Sequence, residues 1–260
     1  MTYFGFLLRF LVIPIIIFLA ITWWDNKSNR STNGFNNGKA VLIAILVHIA
    51  LAVTYTTPWD NYLVATGVWY YNPNLVTGIV IGYVPIEEYT FFVLETILAG
   101  LWWWFLARRI PEPPNEFKPS KTGRIISFGV LFVLWVIFTY LFFFGGVELT
   151  YLSIILFWAL PAIFPQMLYG ADILWHYRKL VFTTIFVPGL YLSLMDIVAL
   201  TDTTWSISKE QTTGILFFNI LPLEEVLFFF ITNVLIGFGM TLLLSKLGTK
   251  RFEEWRSKIR

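Results

Sequence analysis

Two pairs of adjacent glutamates lie inside long apolar stretches, and each pair follows a proline. The motif Pro-x-Glu-Glu stands at residues 85–88 and again at 222–225, and two adjacent phenylalanines follow each copy. The acids are Glu87, Glu88, Glu224 and Glu225, and the phenylalanines are Phe91, Phe92, Phe228 and Phe229. A carboxyl group at membrane depth is costly, so acids in this setting indicate a functional site.

Buried carboxyl groups of this kind are suited to general acid–base chemistry. A low dielectric favours the protonated form, and two carboxyl groups close together favour one protonated and one ionised partner. Such a pair can deliver and recover a proton near neutral pH. Because adjacent helical residues point about 100° apart, we expect one glutamate of each pair to face the interior and the other to bond to a neighbouring helix. The alternative is structural, since intramembrane glutamates also hold helices together by hydrogen bonds.

Three further acids and the phenylalanines are secondary candidates. Asp60 and Asp196 stand near the ends of apolar stretches, where each could bind substrate or cap a helix. Glu95 shares a helix face with Glu88, but Thr232 occupies its equivalent position in the second copy. The phenylalanines are ordinary core or lipid-facing residues by default. Beside a reaction site they would also bind substrate and shield a carbocation through their ring quadrupoles.

The composition excludes several other chemistries. The chain has no cysteine, and its two histidines, His48 and His176, are too far apart in sequence to form a metal-binding motif. We interpret His48 as a core histidine. A glycine-rich dinucleotide fingerprint is also absent from the sequence. We therefore expect no metal and no cofactor.

The elements that position these acids are membrane spans. The chain has 260 residues, of which 57% are hydrophobic and 13% charged, whereas a soluble domain has about 25% charged residues. The first apolar stretch lacks a basic leader and a cleavage site, so we expect a permanent span. Seven stretches are long enough to cross about 30 Å of hydrocarbon, at 2–22, 40–57, 75–107, 124–144, 150–169, 178–199 and 213–246.

The third and seventh stretches are longer than one crossing requires. Pro85 and Pro222 lie within them, directly before the acid pairs. Proline fits the first turn of a helix but breaks a helix interior. Each stretch is therefore either a short lead-in followed by a helix that begins near the acids, or one kinked helix.

Basic residues predict the orientation of the spans. They are concentrated in alternate loops, and the loops on the opposite side contain only Lys209. By the positive-inside rule the N-terminus is outside and the C-terminus is cytoplasmic. The cytoplasmic set is Lys27, Arg30, Lys39, Arg108, Arg109, Lys118, Lys121, Arg124, Arg178, Lys179, Lys246, Lys250, Arg251, Arg256, Lys258 and Arg260.

The two halves of the chain form an internal repeat. An even number of spans separates equivalent elements, which predicts a parallel repeat of three spans, one connecting span and three spans. The expected divisions are a first repeat at 1–110, a linker and connecting span at 111–149, a second repeat at 150–246 and a basic cytoplasmic tail at 247–260. Besides the acid motif, Asp60, Trp69, Thr77 and Gly78 recur at one constant spacing as Asp196, Trp205, Thr213 and Gly214.

The duplicated motif in an all-α, seven-span membrane chain resembles the membrane-integral lycopene cyclases of the heterodimeric type, the carotenoid cyclase domain family, with both subunit-like halves in one chain. The resemblance covers about residues 1–246. It implies that the four glutamates are the functional acids. It also implies an isomerisation in which an acid protonates the terminal double bond of a ψ end of lycopene. A neighbouring double bond then attacks the cation to close a six-membered ring, and a base removes a proton.

From this resemblance we expect β-rings as the product and the lipid-soluble carotenoids lycopene and γ-carotene as substrates. We also expect a multi-pass protein of the cell membrane, with other carotenoid-pathway enzymes as partners and no nucleic acid. A proton-coupled transporter or another prenyl-lipid enzyme are the alternatives. A transporter favours polar, water-lined spans, a retinal protein needs a lysine within the last span, and prenyltransferases need aspartate-rich magnesium motifs. The sequence favours the cyclase over all of these.

Overall fold

The computed structural model describes residues 1–28 and 37–259, and helices dominate it. Arg30 and Arg260, two of the basic residues used to predict the orientation, lie outside this part of the chain. Within it, seven helices are long and apolar enough to cross a membrane, and an eighth helix follows them. They are α1 (Tyr3–Lys27), α2 (Gly38–Ala65), α3 (Ile86–Ala107), α4 (Lys121–Phe144), α5 (Val147–His176), α6 (Arg178–Thr201), α7 (Leu223–Leu244) and α8 (Lys246–Ile259).

Both of the overlong apolar stretches begin as loops. Helix α3 begins after Pro85 and helix α7 after Pro222, and each proline is the N-cap residue of its helix. A short hairpin precedes each helix: β2 (Val80–Ile81) pairs with β3 (Val84–Pro85), and β5 (Leu216–Phe217) pairs with β6 (Leu221–Pro222). The lead-in alternative is therefore correct. The span predictions 75–107 and 213–246 are wrong at their N-terminal ends, because proline stops a helix from extending backwards through it.

Pro14 and Gly170 interrupt the regular helix geometry inside two other spans. Pro14 has no N–H for the carbonyl of Phe10, and a π turn over Leu8–Val12 precedes it. The hydroxyl of Tyr191 in α6 donates to this freed carbonyl at 2.8 Å, which is the repair that an apolar medium demands. Helix α5 bends at Gly170 and then continues to its end, so this span is longer than the predicted 150–169.

Helices α3 and α7 form the centre of the bundle. More than half of the most apolar part of each is buried, at 61% in α3 and 56% in α7, whereas α4 buries none of its own and packs against α5. Large apolar side chains such as Leu46, Ile126 and Phe182 are exposed around the outside. A soluble protein avoids exposed apolar surface of this extent, so the outer surface fits a lipid environment.

A two-stranded ribbon joins the two halves at one end of the bundle. Strand β1 (Trp69–Tyr71) pairs antiparallel with β4 (Trp205–Ile207), so that Trp69 lies opposite Ile207 and Tyr71 lies opposite Trp205. The N-terminal ends of α1, α3, α5 and α7 and the C-terminal ends of α2 and α6 lie at this same end. We call it the acid end, because it carries the duplicated carboxyl groups.

Candidate active site

The two glutamates of each pair point in different directions. A side-chain oxygen of Glu87 accepts a hydrogen bond from the backbone N–H of Thr77 at 2.6 Å, and Glu224 accepts one from Thr213 at 2.7 Å. These bonds fix the loops that lead into α3 and α7. The expected divergence within each pair is confirmed. The expected partner is wrong, because Glu87 and Glu224, which are themselves buried, bind the loop before their own helix, where a backbone N–H needs an acceptor.

The other two glutamates, Glu88 and Glu225, line one small cavity that both halves of the chain build. Its volume is about 30 Å³. We call it the acid chamber. Asp196 supplies a third carboxyl group, and all three side chains are at most 5% exposed. Apart from Ile207, the rest of the wall is formed by aromatic side chains. They are Tyr3, Trp69, Tyr71, Phe91, Trp205, Phe228 and Phe229.

A tyrosine from the first turn of another helix binds each inward glutamate. The hydroxyl of Tyr3 donates to Glu88, and the hydroxyl of Tyr151 donates to Glu225 at 2.7 Å. Sequence reasoning missed both tyrosines. A Thr-Tyr pair occurs at 2–3 and again at 150–151, and this repetition could have pointed to both tyrosines. The distance between the two pairs differs from the distance between the two acid motifs, so aligning the halves on the acid motifs does not match them.

Asp60 and Asp196 are completely buried near the C-terminal ends of α2 and α6. Asp196 accepts a hydrogen bond from the indole of Trp205 at 2.8 Å and lines the acid chamber. Asp60 lies behind the chamber wall, close enough to Glu88 to interact with it electrostatically. Among the described residues, neither aspartate forms a hydrogen bond to the backbone of its helix end, so the structure does not support the helix-cap alternative. We call Asp60, Glu88, Asp196 and Glu225 the acid cluster.

In the part of the chain that the structure describes, the acid cluster has no compensating cation. Across residues 1–28 and 37–259, no lysine, arginine or histidine forms an ion pair with any of its four members. The acids at the other end of the bundle differ, because Asp25 pairs with Arg109 at 2.7 Å and Asp172 pairs with Arg251 at 2.7 Å. Four buried carboxyl groups without a cation cannot all be ionised at once. At least one carboxyl group of the cluster is therefore protonated.

Tyr71, on the ribbon above the chamber, adds a hydroxyl group that stays protonated. Burial raises the pKa of the Tyr71 hydroxyl well above its usual range, and the negative charge of nearby Glu88 raises it further. The side chain therefore faces the acid cluster as a neutral phenol over the whole physiological pH range.

Of the remaining sequence candidates, Glu95, His48 and Phe92 lie outside the acid chamber. Glu95 accepts a hydrogen bond from Thr232 at 2.7 Å, so the two equivalent positions of the repeat contact each other. His48 is buried and its ring bonds to the carbonyl of Ala44 at 2.7 Å, as expected of a core histidine. Of the four candidate phenylalanines, three line the chamber, and Phe92 faces a second, larger cavity.

Comparisons with known proteins identify relatives that match about three quarters or more of the chain. It is 38% identical over 214 residues to a lycopene beta-cyclase of Halobacterium salinarum, which covers 80% of this chain and 84% of the relative. It is 34% identical over 199 residues to a bifunctional lycopene cyclase/phytoene synthase of Podospora anserina, covering 74% of this chain and 33% of that relative. A bifunctional protein of the same name from Aspergillus oryzae is 31% identical over 199 residues, covering 76% of this chain and 33% of the relative. No family model and no solved structure matches the chain.

Proposed function

The chain belongs to the lycopene cyclase family, and we propose that it is an intramolecular lyase that closes β-rings at the ψ ends of lycopene without net oxidation or reduction. The acid chamber is the observation that carries this proposal. Such a cyclisation needs a proton donor, a proton acceptor and a wall that tolerates a carbocation. The chamber supplies carboxyl groups for the first two requirements and aromatic rings for the third.

The proton balance fits two carboxyl groups that line one space. One of Glu88 and Glu225 gives its proton to the terminal double bond of the ψ end, which leaves a tertiary cation. The electron pair of the neighbouring double bond then forms the new carbon–carbon bond and closes the ring. The other glutamate, as the carboxylate, takes a proton from the ring carbon and restores a double bond. In this proposal Asp60 and Asp196, the other two members of the acid cluster, return the proton to the donor for the next turnover.

The aromatic wall stabilises the cation between these two proton transfers. The side chains of Phe91, Phe228, Phe229, Trp69 and Trp205 line the chamber. A cation over a desolvated aromatic face gains about 2 kcal/mol. Several such faces lower the barrier without offering a nucleophile that would trap the cation.

The ribbon of β1 and β4 keeps water from the cation. It contributes Trp69, Tyr71, Trp205 and Ile207 to the wall, and it lies between the chamber and the aqueous end of the bundle. Exclusion of water protects reactive intermediates from hydrolysis. Glu87 and Glu224 act indirectly in this proposal, as positioning residues that hold the loops beneath this ribbon.

The membrane placement follows from the same proposal. We propose that the chain is a multi-pass protein of the cell membrane, with the acid end and the N-terminus outside and α8 in the cytoplasm. Its two repeats at 1–110 and 150–246 would be related by a pseudo-twofold axis along the membrane normal, with 111–149 connecting them. The matching contacts of Glu87 with Thr77 and of Glu224 with Thr213 support a parallel repeat. Other enzymes of carotenoid synthesis would be its partners.

Expression in a lycopene-accumulating bacterium tests the function directly. We expect the red acyclic pigment to be replaced by cyclic carotenoids, identified by chromatography and mass spectrometry at unchanged mass, because the reaction is an isomerisation. Unchanged lycopene, with the protein shown to be in the membrane, would overturn the proposal. The named relatives are cyclases rather than transporters, which favours this reading over proton-coupled transport.

A further inference from the structure

A second cavity lies beside the acid chamber, in the middle of the membrane-spanning region. Its volume is about 450 Å³, and α2, α3, α5 and α7 form its wall. We call it the lateral cavity. Leucine, alanine, phenylalanine and other apolar side chains make up most of the wall. The cavity is about fifteen times larger than the acid chamber, whose 30 Å³ has room for about two water molecules.

The lateral cavity opens sideways, through the outer surface of the bundle. Leu51 and Tyr55 on its wall are 59% and 41% exposed, and Pro165 on the facing helix is exposed as well. These residues lie near the middle of α2 and α5, far from the helix ends. In a bilayer this opening faces the hydrocarbon, so the cavity takes its occupant from the lipid phase.

Several polar groups on the wall bind one another or the backbone, whereas the side-chain oxygen of Gln166 is buried without a hydrogen-bond partner among the described residues. The hydroxyl of Tyr55 donates to the carbonyl of Trp158 at 2.8 Å, and the hydroxyl of Thr232 donates to Glu95 at 2.7 Å. The ring of His48 bonds to a carbonyl of its own helix. These groups already have partners, so the space that they border suits a hydrocarbon better than a polar ligand.

A single aromatic ring connects the lateral cavity to the acid chamber. Phe228 lines both of them, and the ring of Phe92, on the cavity side, is 6.3 Å from the ring of Phe91 on the chamber side. The chamber has room for about two water molecules, so even the reacting end of a carotenoid can enter it only when side chains of its wall move aside. We propose that the lateral cavity binds the extended polyene chain of the substrate, while its ψ end passes Phe228 into the acid chamber. This inference rests on the proposed function, because it assigns a binding site to the unreacting part of the same substrate.

Protection of an introduced cysteine tests occupancy without relying on catalysis. The chain has no cysteine of its own, so Ala52→Cys places one thiol on the cavity wall and Ala50→Cys places one on the exposed face of the same helix. Purified variants are labelled with a membrane-permeant maleimide, with and without lycopene. At about ten times its dissociation constant, lycopene should slow labelling of Ala52→Cys about tenfold, because only unoccupied protein reacts. Labelling of Ala50→Cys should not change. Equal labelling of Ala52→Cys with and without lycopene would overturn the proposal.

Filling the cavity gives a second, independent test. Ala52→Phe and Ala162→Phe narrow the cavity, whereas Ala50→Phe adds the same ring outside it. We expect the first two to raise the KM for lycopene and the control to leave it unchanged, with thermal stability measured for all three. Wild-type kinetics in both cavity variants would overturn the assignment. A wild-type protein that fails to cyclise lycopene although lycopene protects Ala52→Cys would instead overturn the proposed function and leave the cavity assignment intact.

Discussion

At the scale of single residues, the structure divides four similar glutamates into two roles. Glu88 and Glu225 line the acid chamber, whereas Glu87 and Glu224 bind loop backbone. From the sequence alone, all four glutamates are predicted to be catalytic. Helix geometry could predict that the members of a pair diverge, but the direction of each depends on where the incoming loop lies. That position is set by hairpins of two-residue strands, which leave no periodic signal in a sequence.

Replacing an inward glutamate should remove the reaction. Glu88→Gln and Glu225→Gln each keep the shape of the side chain but can neither give nor take the proton. We expect each to lower kcat about 100-fold or more, the usual contribution of a general acid or base. The rate is measured with purified protein in lipid vesicles containing lycopene. Full activity of both variants would show that the carboxyl groups of the chamber do not transfer the proton.

Replacing a glutamate that binds loop backbone, Glu87 or Glu224, should have a much smaller effect. In Glu87→Gln and Glu224→Gln the side-chain carbonyl can still accept the backbone hydrogen bond. We therefore expect less than a tenfold loss of kcat, since each variant loses only the charge assistance of one hydrogen bond. Glu87→Ala leaves the N–H of Thr77 without this partner and should lower stability by about 1–3 kcal/mol, measured by thermal unfolding in detergent. Loss of activity in Glu87→Gln equal to that in Glu88→Gln would contradict the division of roles.

At the scale of elements, hydropathy is sufficient to predict the helices but not the ribbon of β1 and β4. The spans follow from apolar length, and Pro85 and Pro222 mark where α3 and α7 begin. Strands β1 and β4 have three residues each and pair across the two halves. Neither their length nor their pattern distinguishes them from loop. The repeated Trp69 and Trp205 were visible in the sequence, but their place in the chamber wall depends on this pairing.

The ribbon should determine whether water reaches the cation. Ile207 lines the acid chamber, whereas Ser206 beside it is exposed. Ile207→Ala should open the wall, so that water captures part of the cation and a hydrated acyclic carotenoid appears beside the cyclic product. Mass spectrometry detects this product by the added mass of one water. Ser206→Ala is the control and should give cyclic product alone. Purely cyclic product from Ile207→Ala would mean that the ribbon does not exclude water.

At the scale of the whole molecule, the absence of native cysteines makes the orientation measurable. Lys209 is exposed at the acid end, and Ser257 is exposed on α8 at the opposite end. In intact cells a membrane-impermeant maleimide should label Lys209→Cys but not Ser257→Cys, because the positive-inside rule places α8 in the cytoplasm. After lysis both should react. Labelling of Ser257→Cys alone in intact cells would mean that the topology is the reverse of the proposed one.

The shared chamber also determines the order in which a symmetrical substrate reacts. Glu88 and Glu225 come from different halves but line one space, which supports the proposal that the two motifs form one composite site rather than one site for each end. Lycopene has two ψ ends separated by a long rigid polyene, and only one of them fits the chamber at a time. The carotenoid must therefore leave the lateral cavity and enter again in reverse before its second end reacts.

This order predicts that γ-carotene, with one ring, accumulates as a free intermediate. In a time course with excess lycopene, γ-carotene should rise first and the two-ringed product should follow after a lag. Adding unlabelled γ-carotene to a reaction that started from isotopically labelled lycopene should dilute the label in the two-ringed product, because released and added intermediate compete for the same site. Full retention of the label would mean that both ends react during one binding event, and that the two acid motifs serve the two ends without release.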